Sequence, residues 1–300
     1  MTGKNALSGG LVWGNGGARL HLSNDAAQDA GPGSRVAVRV TGPRRCVGWW
    51  SRGDGHHDCP FDQAIAATSV DAQCGPCARA DSGRRLARGD ISGDDRPFRL
   101  YLAWFGGRTV KVGITAEARG DARLRDQGAL VYSFIAAGPL PAVRGAEMAI
   151  SASKNAVERV RADRKIAHWW DFDATDAPEL LRATARRATA RRVTTGVSVP
   201  DGLQWLDVDP VDLTALFGLD GDLPDSYRPL AALTDGGALV GDVLVAAGHA
   251  LLLSTAEATV LCDTRRLTGW PLAETDGAQR GLTLGAVNCP DRPGDVPTLF

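Results

Sequence analysis

The sequence lacks any long uncharged apolar run. No stretch of about eighteen such residues occurs, and the longest candidate, ALVGDVLVAAGHALLLST, is interrupted by Asp242 and His249. The first residues, MTGKNALSGGLVWGNGG, also lack the charged segment and apolar core of a secretory signal. These absences argue against a membrane span and a membrane partner, and they predict a cytoplasmic protein.

Internal repeats and heptads are absent as well, which argues against a solenoid or a coiled coil. What is present is an ordinary globular composition, with 44% apolar and 23% charged residues. The 300 residues are enough for two or three domains, each with its own core.

The net charge of −1 hides a strong asymmetry along the chain. Residues 1–78 hold 7 basic and 6 acidic side chains, residues 79–192 hold 22 and 14, and residues 193–300 hold 5 and 15. A basic middle followed by an acidic end is compatible with a polyanion site on the middle part. It is equally compatible with an acidic domain that neutralises a basic one.

The first predicted domain, residues 1–95, begins with short strands such as RVAVRV, separated by turn-rich segments such as DAGPGS. Residues 51–95 are polar and rich in Gly and Asp, so they contain too little apolar material to fold without a cross-link or a metal. Four cysteines fall in or beside this stretch with the spacing C-x12-C-x14-C-x2-C: Cys46, Cys59, Cys74 and Cys77.

This spacing predicts a structural zinc site, because zinc takes four sulfur or nitrogen ligands and the CGPC pair supplies two from one turn. Three other interpretations remain open: a redox dithiol, disulfides, and a set in which His56 or His57 replaces Cys59. Cys262 lies in an apolar run and is expected to be a buried, inert thiol, whereas Cys289 lies in a predicted loop.

The second predicted domain, residues 96–172, reads strand–strand–helix–strand–helix. FRLYLAW and TVKVGIT form a predicted hairpin, LVYSFIAAG is the third strand, and PAVRGAEMAISASKNAVERVRADRKIAHWW is predicted to be helical. The fold class expected for the chain is therefore α+β, with a small mixed sheet flanked by helices between two β-rich parts.

Several polar side chains fall within this unit. The hairpin carries Tyr101 and Lys111, the first helix carries Arg123 and Arg125, and the second carries Glu147. A tyrosine, a lysine, an arginine and one carboxylate on one surface would suit phosphodiester chemistry, with the carboxylate holding a divalent cation. Taken singly, each is more simply a core or solvated residue.

The stretch RLYLAWFGGRTVKVGIT…ARLRDQGA…RGAE resembles the GIY-YIG nuclease superfamily. The resemblance implies catalytic roles for Tyr101, Lys111, Arg123 and Glu147, with Mg²⁺ or Mn²⁺ held by Glu147. Lys111 stands where a second tyrosine is usual. Nearly the whole chain is also similar to an uncharacterised bacterial family that carries a cysteine cluster followed by YLA, KVGIT and DQGA.

The third predicted domain, residues 173–300, consists of a basic connector helix over 176–192 and a small acidic β-rich part with strands such as ALLLST and ATVLCDT. Three functions are compatible with the whole sequence. The first is a zinc-stapled endonuclease-like hydrolase acting on DNA or RNA, and the second is a nucleic-acid-binding module without cleavage. The third is a scaffold recruited to small-molecule chemistry.

Overall fold

The computed structural model describes residues 7–14, 16–23, 26–88, 94–195 and 201–290, without the side chains of 87 and 188–195. The chain divides into two compact units. The first unit comprises residues 1–92, 216–218 and 222–289, and the second comprises residues 93–215, 219–221 and 290–300. Both units combine helices with small sheets, so the predicted mixture of helices and strands is confirmed, and it is compatible with the α+β class.

The elements of the N-terminal part are β1 (Gly10–Gly14), β2 (Gly17–His21), β3 (Ala27–Asp29), β4 (Arg35–Val40), β5 (Trp49–Ser51), β6 (Gly55–His57), α1 (Gly75–Ala80) and α2 (Ser82–Arg88). Those of the middle part are β7 (Pro97–Trp104), β8 (Val110–Ala116), α3 (Ala122–Gln127), β9 (Val131–Pro139), α4 (Leu140–Ala152), α5 (Ala162–Ala167), α6 (Ala177–Thr195), β10 (Gln204–Trp205) and β11 (Val211–Asp212). The C-terminal part contains α7 (Thr214–Phe217), β12 (Arg228–Ala247), β13 (Ala250–Ser254), β14 (Thr259–Asp263), β15 (Leu272–Glu274) and β16 (Arg280–Leu284).

The main sheet of the first unit combines β4 from the N-terminal part of the chain with strands from the C-terminal part. Its order is β13-β14-β12-β4-β15, with β16 also paired to β12. β4 runs antiparallel to β12, with Val38 opposite Leu239, and both of these side chains are fully buried. The predicted division placed β4 in residues 1–95 and β12 in residues 173–300, whereas the structure gives both strands to one hydrophobic core.

The sheet of the second unit has the order β10-β9-β7-β8, and β11 also pairs with β9. Its named strands are all antiparallel, but a parallel bridge between Lys111 and Val157 makes the sheet mixed at the β8 edge. The observed order β7-β8-α3-β9-α4 matches the order predicted from the sequence.

The long helix predicted after β9 is interrupted. α4 ends at Ala152, and Lys154 has a left-handed φ of 61°. Val157 then forms backbone hydrogen bonds with both neighbours of Lys111: Val112 donates to its carbonyl over 2.8 Å, and its own N–H donates to Val110 over 2.9 Å. The helical pattern is broken because this segment satisfies its backbone groups at the sheet edge before α5 begins.

Within the described ranges, no helix is both long enough and apolar enough to cross a membrane.

Candidate functional site

The four predicted metal ligands of the first unit come together. One sulfur from each of Cys46, Cys59, Cys74 and Cys77 lies within 4.8 Å of the others, and all four side chains are buried. The sulfurs of Cys59 and Cys74 are 3.8 Å apart. A tetrahedron with Zn–S bonds of about 2.3 Å has an edge of about 3.8 Å, so this cluster could hold one metal ion.

The turn after Cys46 has a backbone shape that only glycine permits. Gly48 has a φ of 80°, and a Cβ there would lie 1.9 Å from the carbonyl oxygen of His57. This turn lets the N–H of Gly48 donate to the Cys46 sulfur over 3.4 Å, and the N–H of Cys74 donates to the same sulfur over 3.2 Å. Both donors would stabilise a thiolate at Cys46.

The environment affects the four thiols unequally. Burial raises the pKa of Cys77 and of Cys46. Burial acts in the same direction on Cys59, but the backbone N–H groups of Gln63 and Phe61 outweigh it and lower the Cys59 pKa to about 7. A bound cation would offset the burial cost at all four sulfurs, because metal binding requires the deprotonated form.

Asp81 supports the cluster from outside. Its carboxylate accepts hydrogen bonds from the backbone N–H of Trp50 and from the side-chain amide of Gln73, each over 3.1 Å. The same Gln73 amide donates to the carbonyl of Gly48 over 2.8 Å. Burial alone would raise the pKa of Asp81, but the N–H groups of Arg84 and Trp50 hold it below its usual range. The Gly48 turn and the start of α2 are thereby tied together.

The histidines are used differently from the cysteines. His57 stacks on Trp49 with ring centroids 4.9 Å apart, and Trp49 packs against the cysteine cluster. His56 places Nε2 2.6 Å from the carbonyl oxygen of Val47. The structure therefore brings together the four-cysteine set, and all four thiols are free rather than disulfide-bonded.

In the second unit, Tyr101 and Lys111 meet on one face of the β7–β8 hairpin. The Lys111 ammonium donates to the Tyr101 hydroxyl over 3.2 Å and lies 5.1 Å from the centre of its ring. The side-chain amide of Gln127 donates to the same hydroxyl over 2.8 Å. Tyr101 is 1% exposed and Lys111 is half-buried. A lysine, an amide and a phenol thus form one hydrogen-bonded group.

Gly113 makes room for this group. It lies opposite Tyr101 in the hairpin register and two residues after Lys111, so all three positions share one face. A Cβ on Gly113 would lie 2.3 Å from the Tyr101 hydroxyl oxygen and 2.7 Å from Lys111 Nζ. The lysine and the tyrosine can occupy their positions only because residue 113 has no side chain.

The DQGA stretch explains how Gln127 reaches the hairpin. Gly128 ends α3 with a left-handed φ of 68°, and its N–H donates to the Arg125 carbonyl. Ala129 is fully buried behind this turn. The ammonium of Lys165, from α5, donates to the Gln127 carbonyl over 2.8 Å, which fixes the last turn of α3.

Glu147 lies on α4, half-buried, within the electrostatic reach of Lys111. Burial raises the pKa of its carboxyl, Lys111 and Arg144 act to lower it, and the carboxylate of Glu158 raises it further. Glu158 directly follows Val157, whose backbone pairs with the Lys111 edge of the sheet. Two carboxylates and one ammonium therefore influence one another at this edge.

The two arginines of α3 separate, as their spacing requires. Arg125 is 18% exposed and forms an ion pair with Asp121 at 2.7 Å. Arg123 is exposed, and among the residues that the structure describes it has no hydrogen-bond or ion-pair partner. Arg123 and Gln127 are four residues apart and lie on the same helical side, so Arg123 shares the side of α3 that reaches Tyr101.

Comparison with known proteins identifies a family. A family model described as protein of unknown function (DUF2797) matches residues 33–272, which is more than half of the chain. The chain belongs to the DUF2797 family. No curated protein and no solved structure matches significantly.

The DUF2797 match covers both the cysteine cluster and the Tyr101 group. Sequence reasoning missed two residues beside that group, Gln127 and Glu158. Gln127 belongs to the DQGA stretch, which marks the family resemblance but carries no role that the sequence predicts. Glu158 had no signal, because its position depends on the break after α4.

Proposed function

We propose that this DUF2797 protein processes nucleic acid, and that its second unit is a GIY-YIG-like, divalent-cation-dependent phosphodiester hydrolase. One observation carries the proposal: Tyr101, Lys111 and Gln127 form a single hydrogen-bonded group, with the Glu147 carboxyl in the field of Lys111. The combination of an anion-attracting ammonium, a phenol and a carboxylate suits phosphodiester cleavage.

Each residue would have a distinct role. Lys111 and the exposed Arg123 would bind the scissile phosphate, since two cations on one side attract an anion between them. Tyr101 would orient the attacking water, because the two donors to its oxygen leave its own hydrogen to donate to that water. Only the phenolate form of Tyr101 could take the proton of the water. Gln127 would hold the tyrosine ring in place.

Glu147 would hold the cation. A half-buried carboxylate beside a second one, Glu158, fits a hard divalent ion such as Mg²⁺ or Mn²⁺, which takes oxygen ligands. When bound, such an ion would offset negative charge that develops on the phosphate. The raised pKa of Glu147 fits this role, because an ion that favours the charged carboxylate would reverse the cost of its burial.

A basic segment next to the site supports a nucleic-acid substrate. The chain that runs past the Lys111 edge and into α5 exposes four cationic side chains: Lys154, Arg159, Arg161 and Arg164. Arg161 is paired with Asp163, at 2.6 Å. Exposed cations on one segment bind a phosphate backbone without reading its sequence.

For the first unit we propose zinc as the metal of the cysteine cluster. Four buried sulfurs that all lie within 4.8 Å of one another would fill the four positions around a zinc ion and leave none for a substrate. Zinc would therefore have a structural role here. It would hold together a segment, residues 44–81, that has few other buried side chains.

A cleavage screen tests the hydrolase proposal. Single- and double-stranded DNA and RNA are incubated with the full chain and Mg²⁺ or Mn²⁺, beside Glu147→Gln and the control Glu179→Gln, an exposed glutamate on α6. We expect metal-dependent new ends that fall at least about a hundredfold in Glu147→Gln and are unchanged in the control. Equal cleavage by both variants would contradict the assignment of Glu147.

The burial of Tyr101 favours a second candidate, a module that binds nucleic acid without cutting it. Its side chain is 1% exposed, and its hydroxyl already accepts two hydrogen bonds. Binding in the same screen without new ends, under any of the metal conditions, would assign this function instead.

A further inference from the structure

The cysteine unit exposes a tryptophan where a buried one would be expected. Trp49 and Trp50 are neighbours on β5, so they point to opposite faces of the β5–β6 hairpin. Trp49 packs against the cysteine cluster, whereas Trp50 is 59% exposed. The Trp50 ring has an edge contact with the ring of His56, with ring centroids 5.7 Å apart. More than half of the surface of a large aromatic residue is thus open to solvent.

The position of this ring is fixed from below. The Asp81 carboxylate accepts hydrogen bonds from the backbone N–H of Trp50 and from that of Arg84, so a single side chain joins β5 to the first turn of α2. Gly55, across the hairpin, has no side chain to cover the ring, and a Cβ there would lie 3.8 Å from it. Trp50 is therefore held on a rigid base rather than on a free loop.

Cationic side chains lie on the elements next to β5. α2 packs beside β5 and exposes Arg84, Arg85 and Arg88, and Arg52 is exposed two residues after Trp50. The carboxylate beneath them, Asp81, is occupied by hydrogen bonds, and Arg84 is also paired with Asp71 at 2.7 Å. An exposed aromatic ring on a hairpin that packs beside an arginine-bearing helix is complementary to a base and its phosphates.

We propose that the Trp50 face is a binding platform for single-stranded nucleic acid, on which one base stacks while the α2 arginines contact the phosphates. Stacking of this kind tolerates every base, because each has a flat π-face. A duplex fits poorly, since its bases already stack on one another. The platform does not depend on the proposed hydrolase chemistry, and it would bind a strand whether or not the second unit cuts it.

The test is a binding measurement on the full chain without added divalent cation and without chelator, so that cleavage does not interfere. A fluorescein-labelled dT20 strand and a 20-base-pair duplex are titrated by anisotropy with wild type, Trp50→Ala and Trp50→Phe. Phe61→Ala is the matched control, because Phe61 is 64% exposed on the same unit but lies between Asp58 and Asp62. Bound metal and melting temperature are recorded for each variant.

We expect Trp50→Ala to weaken single-strand binding by about tenfold or more, with duplex binding, metal content and melting temperature unchanged. Trp50→Phe should retain binding within about threefold, and Phe61→Ala should match wild type. Arg85→Ser should weaken binding and flatten its salt dependence, whereas Arg35→Ser, which removes an arginine exposed elsewhere on the first unit, should not.

Unchanged single-strand affinity in Trp50→Ala would overturn the proposal. So would an equal loss for strand and duplex, or an equal loss in Phe61→Ala. If Trp50→Ala instead converts a dimer into a monomer in sedimentation and leaves nucleic-acid binding intact, the face belongs to a second copy of the chain. A failure of cleavage in the screen above, with the expected binding pattern here, would count only against the hydrolase.

Discussion

Lys111 donates a hydrogen bond to the hydroxyl of Tyr101 across the β7–β8 hairpin, over 3.2 Å. Both groups occupy space next to Gly113 that a side chain at that position would fill. A lysine that merely extends into water from a strand edge would not be held in this way. The hydrogen bond gives the Lys111 ammonium a defined position. Because the space around it is tight, adding even one methyl group at a neighbouring residue should displace it.

Adding one methyl group at Gly113 should disrupt the group without removing any polar atom. In Gly113→Ala the Cβ would overlap the Tyr101 hydroxyl and the Lys111 ammonium, so one of them must move. We expect a loss of about 1–3 kcal/mol in the free energy of unfolding, measured by urea denaturation, and a loss of nucleic-acid cleavage or binding. Gly221→Ala, where a Cβ meets nothing within 4 Å, is the control and should change neither.

Replacing the charge of Lys111 tests its role toward anions. Lys111→Gln can still donate to Tyr101, so the melting temperature should remain close to wild type. The logarithmic salt dependence of nucleic-acid affinity should flatten by about 0.9, which is the contribution of one phosphate contact. An unchanged affinity across a salt series would show that Lys111 does not contact the phosphates.

The raised pKa of Glu147 predicts a pH dependence of stability. Between the ordinary glutamate pKa of about 4.3 and the higher value in the folded state, the native protein binds more protons than the unfolded chain. The free energy of unfolding should therefore fall as the pH rises through this window in the absence of divalent cation. Glu147→Gln should remove that slope, as measured by denaturation at several pH values, whereas Glu179→Gln should retain it.

The same carboxyl predicts proton-linked cation binding. A divalent ion favours the charged form, so Mn²⁺ affinity should increase as the pH rises through the raised pKa. Lys111→Gln removes a cation that lowers this pKa, and the midpoint of the increase should then move to higher pH. Isothermal titration with Mn²⁺ at several pH values gives the midpoint, and an identical midpoint in both proteins would show that Lys111 does not act on the cation site.

Metal analysis tests the cysteine cluster. Protein purified without chelator should contain about one zinc per chain, and Cys74→Ser should lose most of it and melt roughly 10 °C lower. Cys289→Ser, which changes an exposed thiol outside the cluster, should retain both metal and stability. Less than about half an equivalent of zinc in the wild type would contradict the assignment.

Short-range patterns were sufficient to predict the order β7-β8-α3-β9-α4 and the four clustered cysteines, but not the end of α4 at Ala152 or the short strands β10 and β11. The hairpin followed from alternation around Lys111, and the cysteine cluster from the spacing that includes the CGPC turn. Pairings over long separations could not be predicted, because the alternation of Val36, Val38 and Val40 indicates a strand but not its partner. The position of Glu158 could not be predicted for the same reason. It depends on the pairing of Val157 with β8, which lies some 45 residues earlier in the chain.

The pairing of β4 with β12 also has a consequence for biosynthesis. Val38 cannot pair until Leu239, its partner in the register, has been synthesised. A ribosome that adds roughly 5–20 residues per second needs about 10 to 40 seconds to proceed from Val38 to Leu239. During that interval β4 presents an unpaired edge and an apolar face. The strands β8 and β9 both pair with β7, and all three are synthesised before β12. Chaperone binding to nascent chains should therefore be strongest before β12 emerges, and slow codons placed between residues 140 and 228 should lower the yield of soluble protein.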